Sequence, residues 1–256
     1  IFFSLYQAFI SALISCIIAI PFSLALNRHK NNKIIKSIIS LCGFSFVLPS
    51  ILVVYAVIKI YGYNGILNNY FNFYNFIQID TIYGLTGILL AHIFLNAPFA
   101  TRLFVQNLNN IPEKYYEISK TLNLSFMGNI IKLEYPIIKQ NLFTVFSIIF
   151  SLCFLSFAIV MALGGSPQNS TLEVAIYQYA LFELNFQKAI ILSFIQIFIC
   201  LVFVLIGFFS IKGSNFFEIE IKINVHPHKD IKLVKLFDII VIIFFVVLLF
   251  SPISVL

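Results

Sequence analysis

Long apolar runs alternate with short polar and charged stretches along this chain. A helix that crosses the hydrocarbon core of a membrane needs about 20 mostly apolar residues. Five runs are long enough and a sixth begins near the end; they cover residues 1–26, 37–60, 84–105, 137–163, 189–211 and 239–256. This pattern predicts an all-α, polytopic bundle of transmembrane helices with five complete spans and the start of a sixth.

The composition supports a protein that has lipid as its solvent. Apolar residues make up 61% of the 256 residues, charged residues make up 10%, and the mean hydropathy is +1.00. A soluble domain carries roughly 25% charged residues. No two cysteines form a CxxC pair, and we expect neither a metal site nor a cofactor in this chain. The cysteines stand singly within apolar segments, at Cys16, Cys42, Cys153 and Cys200.

The basic residues predict the orientation in the membrane. Fourteen of the sixteen Lys and Arg residues fall in the stretches 27–36, 102–139 and 212–238. The other two are Lys59 and Lys188. Because cytoplasmic loops carry an excess of Lys and Arg, the three basic stretches are predicted to be cytoplasmic and residue 1 to lie on the outer side.

The cytoplasmic stretch after the third run predicts a short amphipathic helix. Pro112 suits the first position of a helix, since its missing N–H is unpaired there in any case. Glu113 follows in the first turn, where the helix dipole favours a negative charge. One apolar stripe recurs at helical spacing, and its members are Ile111, Tyr115, Ile118 and Leu122.

A tight reversal is predicted to follow this helix. Asn123 is suited to the left-handed position that ends a helix, and Ser125 to capping a second helix that runs toward Pro136. The segment therefore projects an apolar and charged knob into the cytoplasm. The alternative is a surface helix that lies flat on anionic lipid.

The same segment resembles the Glu-Ala-Ala loop of binding-protein-dependent ABC importer permeases. The resemblance is carried by Glu117-Ile118-Ser119, then Leu122-Asn123, and Pro136 downstream. The sequence departs from the family pattern at both alanines and at the glycine after leucine. The resemblance implies an ATPase-coupling segment that seats in a groove of an ATPase subunit, formed by Glu117, Ile118, Ser119, Lys120, Leu122 and Asn123.

Two further stretches, 87–112 and 163–178, resemble the thiamine-importing members of this family and, more loosely, the ferric-iron-importing members. The resemblance implies the type I ABC importer permease fold in the inner membrane. A periplasmic substrate-binding protein would deliver thiamine or thiamine phosphates, and two copies of a cytoplasmic ABC ATPase subunit would drive transport. The chain has no Walker-type glycine loop. It is therefore not expected to be an enzyme, and ATP would be bound by the partner subunits.

The resemblance also implies a domain organisation. Such permeases are tandem fusions of two similar halves with about six spans each. Residues 1–211 would form the first transmembrane half, truncated at its N-terminus. Residues 212–237 would form a cytoplasmic linker, and residues 238–256 the incomplete first span of a second permease half.

Two pairs of residues are candidates for the transport pathway or its gate. His92 and Asn96 lie four apart, hence on one helical face, although hydrogen bonding between helices is the alternative. Gly164 and Gly165 follow the fourth run, where the alternative is a turn that ends the span.

An ion-coupled secondary transporter and a non-transport membrane scaffold are the competing functional classes. Ion-coupled transporters usually keep ionisable residues deep in the bilayer. All ten acidic residues are predicted here in loops or at span ends, which counts against ion coupling. A scaffold would not need the cytoplasmic knob.

The orientation leads to a first testable expectation. In a cysteine-free background, Lys33→Cys should be protected from an impermeant thiol reagent added to intact cells, whereas Asn169→Cys should react. The reason is that the positive-inside rule places these residues on opposite sides of the membrane. Equal labelling of the two variants from outside would contradict the topology.

Overall fold

The computed structural model describes residues 1–71, 82–165, 169–210 and 231–253, and helices make up most of these ranges. Five helical segments within them are long and apolar enough to cross a membrane: Phe2–Arg28, Ser50–Tyr70, Leu85–Asn109, Phe126–Phe154 and Phe186–Phe209.

In chain order we number the helices α1 (Phe2–Arg28), α2 (Lys33–Phe44), α3 (Ser50–Tyr61), α4 (Ile66–Phe71), α5 (Leu85–Asn109), α6 (Glu113–Thr121), α7 (Phe126–Phe154), α8 (Ala158–Leu163), α9 (Leu172–Leu181), α10 (Phe186–Phe209) and α11 (Lys232–Ile253).

Helix α1 is the central element of the bundle and packs along α5 and α7. Its buried face consists largely of alanine and serine. Small residues let helix backbones approach closely, which is how helices associate in lipid. The fully buried small residues of α1 include Ser4, Ala8, Ser11, Ala12, Ser15 and Ala19.

Hydrogen bonds fix which helix ends lie together. At one end of the bundle, Lys30 Nζ donates to Asn109 Oδ1 at 2.8 Å, which joins the C-terminal ends of α1 and α5. At the opposite end, the amide of Leu172 donates to Ser4 Oγ at 2.8 Å. The ion pair between Arg28 and Asp238 brings the start of α11 to the same end as Lys30 and Asn109. The described parts of the three basic stretches therefore meet at one end, which is the arrangement that the positive-inside topology requires.

The prediction of a single span over residues 37–60, the second apolar run, is wrong. The run divides into α2 and α3, and the candidate span is Ser50–Tyr70. Pro49 lies at the break and is the N-cap of α3. A proline lacks the backbone N–H and its ring crowds the carbonyl four residues earlier, which favours a break here, although α1 and α5 continue through Pro21 and Pro98.

The fourth run also has different bounds from the predicted 137–163. Helix α7 begins at Phe126 and ends at Phe154, and the rest of the run forms the separate helix α8. Pro136 does not end the helix, because a π turn at Ile130–Glu134 directly precedes it. In a π turn the backbone hydrogen bonds span five residues instead of four, and single turns of this kind occur inside α-helices without ending them. The segment after the reversal is thereby continuous with the span.

The capping-box spacing of Ser170 and Glu173 predicts a short helix from there to about Phe182, and the structure confirms this helix as α9. Thr171 rather than Ser170 is its N-cap, and no side-chain bond caps it. Helix α11 begins at Lys232, inside the predicted linker 212–237. Residues 211–230 lie outside the described ranges, and the division into linker and second half stays a prediction.

Candidate functional site

The reversal predicted at Asn123 is confirmed. Helix α6 ends at Thr121, and Asn123 has a φ of +48°. The amide of Leu124 donates to the Ser119 carbonyl and the amide of Asn123 to the Lys120 carbonyl, both at 3.0 Å. These two bonds form a Schellman motif, which satisfies the last carbonyls of a helix when a left-handed residue follows it.

The predicted cap of the second helix is also confirmed. Ser125 Oγ accepts a hydrogen bond of 3.1 Å from the amide of Gly128, and α7 begins at Phe126. The N-cap bond and the left-handed residue together turn the chain back on itself. We call the resulting unit, residues 112–135, the α6–α7 hairpin.

One face of the α6–α7 hairpin exposes apolar side chains. Tyr115, Ile118 and Leu122 of the predicted stripe are 53%, 45% and 66% exposed. Met127 and Ile131 add to the same exposed set. Contiguous exposed apolar surface marks a site of protein or membrane contact. Contact with an ATPase and the alternative of a helix lying flat on anionic lipid would both use this apolar surface, so the ATPase contact stays a prediction.

The opposite face of the hairpin is buried against the bundle. Ile111, the first member of the predicted stripe, is buried, as are Tyr116 and Ser119. Ser119 Oγ donates to the Tyr116 carbonyl at 2.8 Å. Of the six residues predicted to meet an ATPase, only Ser119 turns its side chain into the protein; the other five are exposed: Glu117, Ile118, Lys120, Leu122 and Asn123.

Buried polar groups anchor this inner face. The Tyr116 hydroxyl donates to Glu134 Oε1 at 3.5 Å, and Glu134 is fully buried. Burial raises the pKa of Tyr116 far above its usual range, and the negative charge of Glu134 acts in the same direction. The phenol therefore keeps its proton and remains a donor.

Lys30 lies beside the start of the hairpin. Burial lowers the pKa of Lys30, and the negative charge of Glu113 in α6 offsets part of that decrease.

Sequence reasoning missed the charged residues beneath the hairpin. Arg28 and Glu134 are nearly or fully buried, and the Arg28 guanidinium lies 5.2 Å from the ring centre of Phe126. Arg28 was counted only as one of many cytoplasmic charges. The sequence shows only that Arg28 stands at the end of an apolar run. That position by itself indicates an arginine whose charged group reaches water, not a buried one.

The candidate pathway residues His92 and Asn96 lie in a polar cluster between α1, α5 and α7. Ser11 Oγ and His92 Nδ1 are 3.0 Å apart, and Asn96 Nδ2 donates to Cys153 Sγ at 3.1 Å. Gln7 Nε2 donates to the Cys153 carbonyl at 3.1 Å. These contacts match the alternative of hydrogen bonding between helices. A role in the pathway stays a prediction.

Gly164 and Gly165 form the turn after α8. Gly165 has a φ of +63°, which favours glycine, and a Cβ on Gly164 would lie 2.5 Å from the Val160 carbonyl oxygen. The preceding Leu163 carbonyl accepts a bond from the Gly84 amide at 2.6 Å. The pair therefore ends the span beside the start of α5, and a role as a gate stays a prediction.

Glu173 lies between two candidate spans, as predicted, but its carboxylate bonds to the middle of α10. Its Oε1 accepts a hydrogen bond of 2.5 Å from Gln196 Nε2. Gln196 lies about 15 Å along α10 from its first residue, at a rise of about 1.5 Å per residue. The sequence placed Glu173 in an outer loop because it could not show that α9 packs beside α10.

The bundle and its hairpin define an importer permease. A model of the family described as "Binding-protein-dependent transport system inner membrane component" matches residues 3–213, and the chain belongs to this family. The fold is shared with the MetNI methionine ABC transporter, at a TM-score of 0.63 and 18% identity over 82% of this chain and 92% of that chain. A bacterial ABC transporter for alginate import gives a TM-score of 0.57 at 17% identity, covering 80% of this chain and 78% of that chain.

Relatives with higher identity carry a more specific name. The chain is 39% identical to the thiamine transport system permease protein ThiP of Haemophilus influenzae, over 96% of this chain and 46% of that protein. It is 37% identical to the protein of the same name in Escherichia coli, over 80% of this chain and 38% of that protein. The chain thus spans less than half the length of these relatives. Membership of the permease family excludes the ion-coupled transporter and the scaffold.

The reversal provides a test in the full-length permease assembled with its ATPase. Asn123→Gly should be tolerated, because glycine adopts a positive φ without strain. Asn123→Val should strain the turn by about 1–3 kcal/mol and reduce binding-protein-stimulated ATP hydrolysis. Thr121→Val is the matched control, since it adds the same side chain at an exposed helical position. Equal ATP hydrolysis by Asn123→Val and Thr121→Val would contradict the assigned role of the reversal.

Proposed function

We propose that this chain is part of the permease of an ATP-driven importer that passes thiamine or thiamine phosphates across the inner membrane. A periplasmic binding protein would deliver the substrate. The observation that carries the proposal is the similarity to thiamine transport permeases over 250 residues, which include the α6–α7 hairpin.

The exposed face of the α6–α7 hairpin is the proposed contact with the ATPase subunit. Its apolar stripe offers Tyr115, Ile118 and Leu122, and the charged Glu117 and Lys120 lie beside them. An apolar centre with charged groups at its rim is the usual composition of a protein interface. In this proposal the ATPase binds and hydrolyses ATP, and this chain needs no cofactor of its own.

A second permease half completes the proposed assembly. Helix α11 follows the first five candidate spans, and its Phe245 is fully buried against Phe22 of α1, with ring centres 4.4 Å apart. We assign α11 to the first span of the second half. Each half would then present one hairpin, and two copies of the ATPase subunit would dock, one on each.

The chemistry of the described residues favours thiamine over ferric iron. Thiamine carries a fixed positive charge on a flat ring, which aromatic faces and a carboxylate such as Glu173 can stabilise. Ferric iron prefers several hard oxygen ligands. Within the described ranges, no three His, Cys, Asp or Glu side chains are grouped closely enough to hold a metal ion. The binding protein would set most of the specificity.

Uptake by the complete importer tests the proposal. A thiamine auxotroph that lacks its own transporter should grow at low external thiamine when it receives the full-length permease, the ATPase and the binding protein. The Glu117→Lys variant should insert normally yet fail to support growth, because it reverses a charge at the ATPase contact. Iron-dependent rescue without uptake of labelled thiamine would overturn the assignment of substrate.

A further inference from the structure

A buried ion cluster joins the α6–α7 hairpin to α1 and α11. The guanidinium of Arg28, at the end of α1, binds both carboxylate oxygens of Asp238 in α11. Nε donates to Oδ2 at 2.9 Å and Nη2 to Oδ1 at 2.5 Å. The two side chains are 2% and 0% exposed.

The same guanidinium reaches the hairpin. Arg28 Nη1 lies 4.0 Å from Glu134 Oε2, and Glu134 accepts the bond from Tyr116 of α6. Arg28 also lies over the ring of Phe126, the first residue of α7. One cation therefore touches α11 directly and the hairpin through two of its residues.

The chemistry of the cluster suits it to fix the relative positions of its helices rather than to raise the free energy of unfolding. A buried ion pair gains little net free energy over apolar residues of similar volume, and its best-supported role is to select one arrangement. The planar guanidinium binds a carboxylate through two parallel bonds, which fixes direction as well as distance. His29 Nε2, 3.0 Å from Asp238 Oδ2, completes the shell around the carboxylate.

We propose that Arg28 is a positioning residue that makes the α6–α7 hairpin and α11 move as one unit when the ATPase closes. This inference rests on the proposed function for the identity of the moving partner. Because Arg28 is hydrogen-bonded to Asp238 and its guanidinium also lies 4.0 Å from Glu134, a displacement of the hairpin and of the continuous helix α7 is passed to α11. Loss of the cation would let the hairpin and α7 move without α11.

A distance measurement tests this proposal. Spin labels at Lys114 of α6 and Leu233 of α11, which are both exposed, are placed in the full-length permease in a cysteine-free background and assembled with its ATPase. The distance between them should stay the same when ATP binds. A shift in that distance in the unsubstituted protein would overturn the proposal.

The matching variant removes the three buried charges and keeps the volume. Arg28→Met and Asp238→Leu are combined with Glu134→Gln, so that no carboxylate is left buried without its cation, and this variant should assemble because uncharged residues can replace a buried ion cluster. Its label distance should change with ATP, and thiamine taken up per ATP hydrolysed should fall about tenfold, within the usual range of coupling between sites. Lys33→Met, which removes an exposed charge nearby, should change neither quantity.

The two readouts separate this inference from the substrate assignment. An importer that does not transport thiamine leaves the label distances interpretable, because they require only the ATPase and ATP. A triple variant that keeps both a constant label distance and full uptake per ATP hydrolysed shows that the cluster is structural only, which overturns the inference.

Discussion

The burial of one positive charge constrains the end of this bundle at which the basic stretches meet. A guanidinium removed from water must be surrounded by carboxylates and hydrogen-bond acceptors, and leaving such a charge unpaired costs about 3–5 kcal/mol. Arg28 meets this requirement mainly with Asp238, which it binds through two hydrogen bonds, while Glu134 lies 4.0 Å away. Since these residues belong to three different helices, burial of the charge favours one arrangement of α1, α7 and α11.

The α6–α7 hairpin consequently has two faces with different tasks. Its inner face is held by Tyr116 and by the buried Glu134. Its exposed face presents apolar side chains such as Ile118 and Leu122 that the chain itself does not cover. Because the buried inner face holds the hairpin rigidly, the exposed face loses little conformational entropy when a partner binds it. The left-handed Asn123 keeps the two helices of the hairpin close enough for both faces to exist.

Periodicity and local signals predicted the elements whose cause lies nearby in the sequence. The reversal at Asn123, the cap at Ser125 and helix α9 depend on a few adjacent residues. The break at Pro49 was missed because apolar residues continue on both sides of it. The carboxylate of Glu173 and the cluster at Arg28 were missed for another reason: their partners are distant in the chain, and neither charge count nor spacing reveals which helices pack together.

The proposed function requires the exposed face of the α6–α7 hairpin to bind the ATPase. Site-specific photo-crosslinking in the full assembly tests this contact, with a photoreactive phenylalanine analogue at Ile118 or Leu122. Tyr63 is the control position, since it is 73% exposed but lies in the turn after α3. We expect a crosslinked product with the ATPase from Ile118 and Leu122 and none from Tyr63. Crosslinking of Ile118 and Leu122 to lipid alone, with no ATPase product, would show that the hairpin does not bind the ATPase.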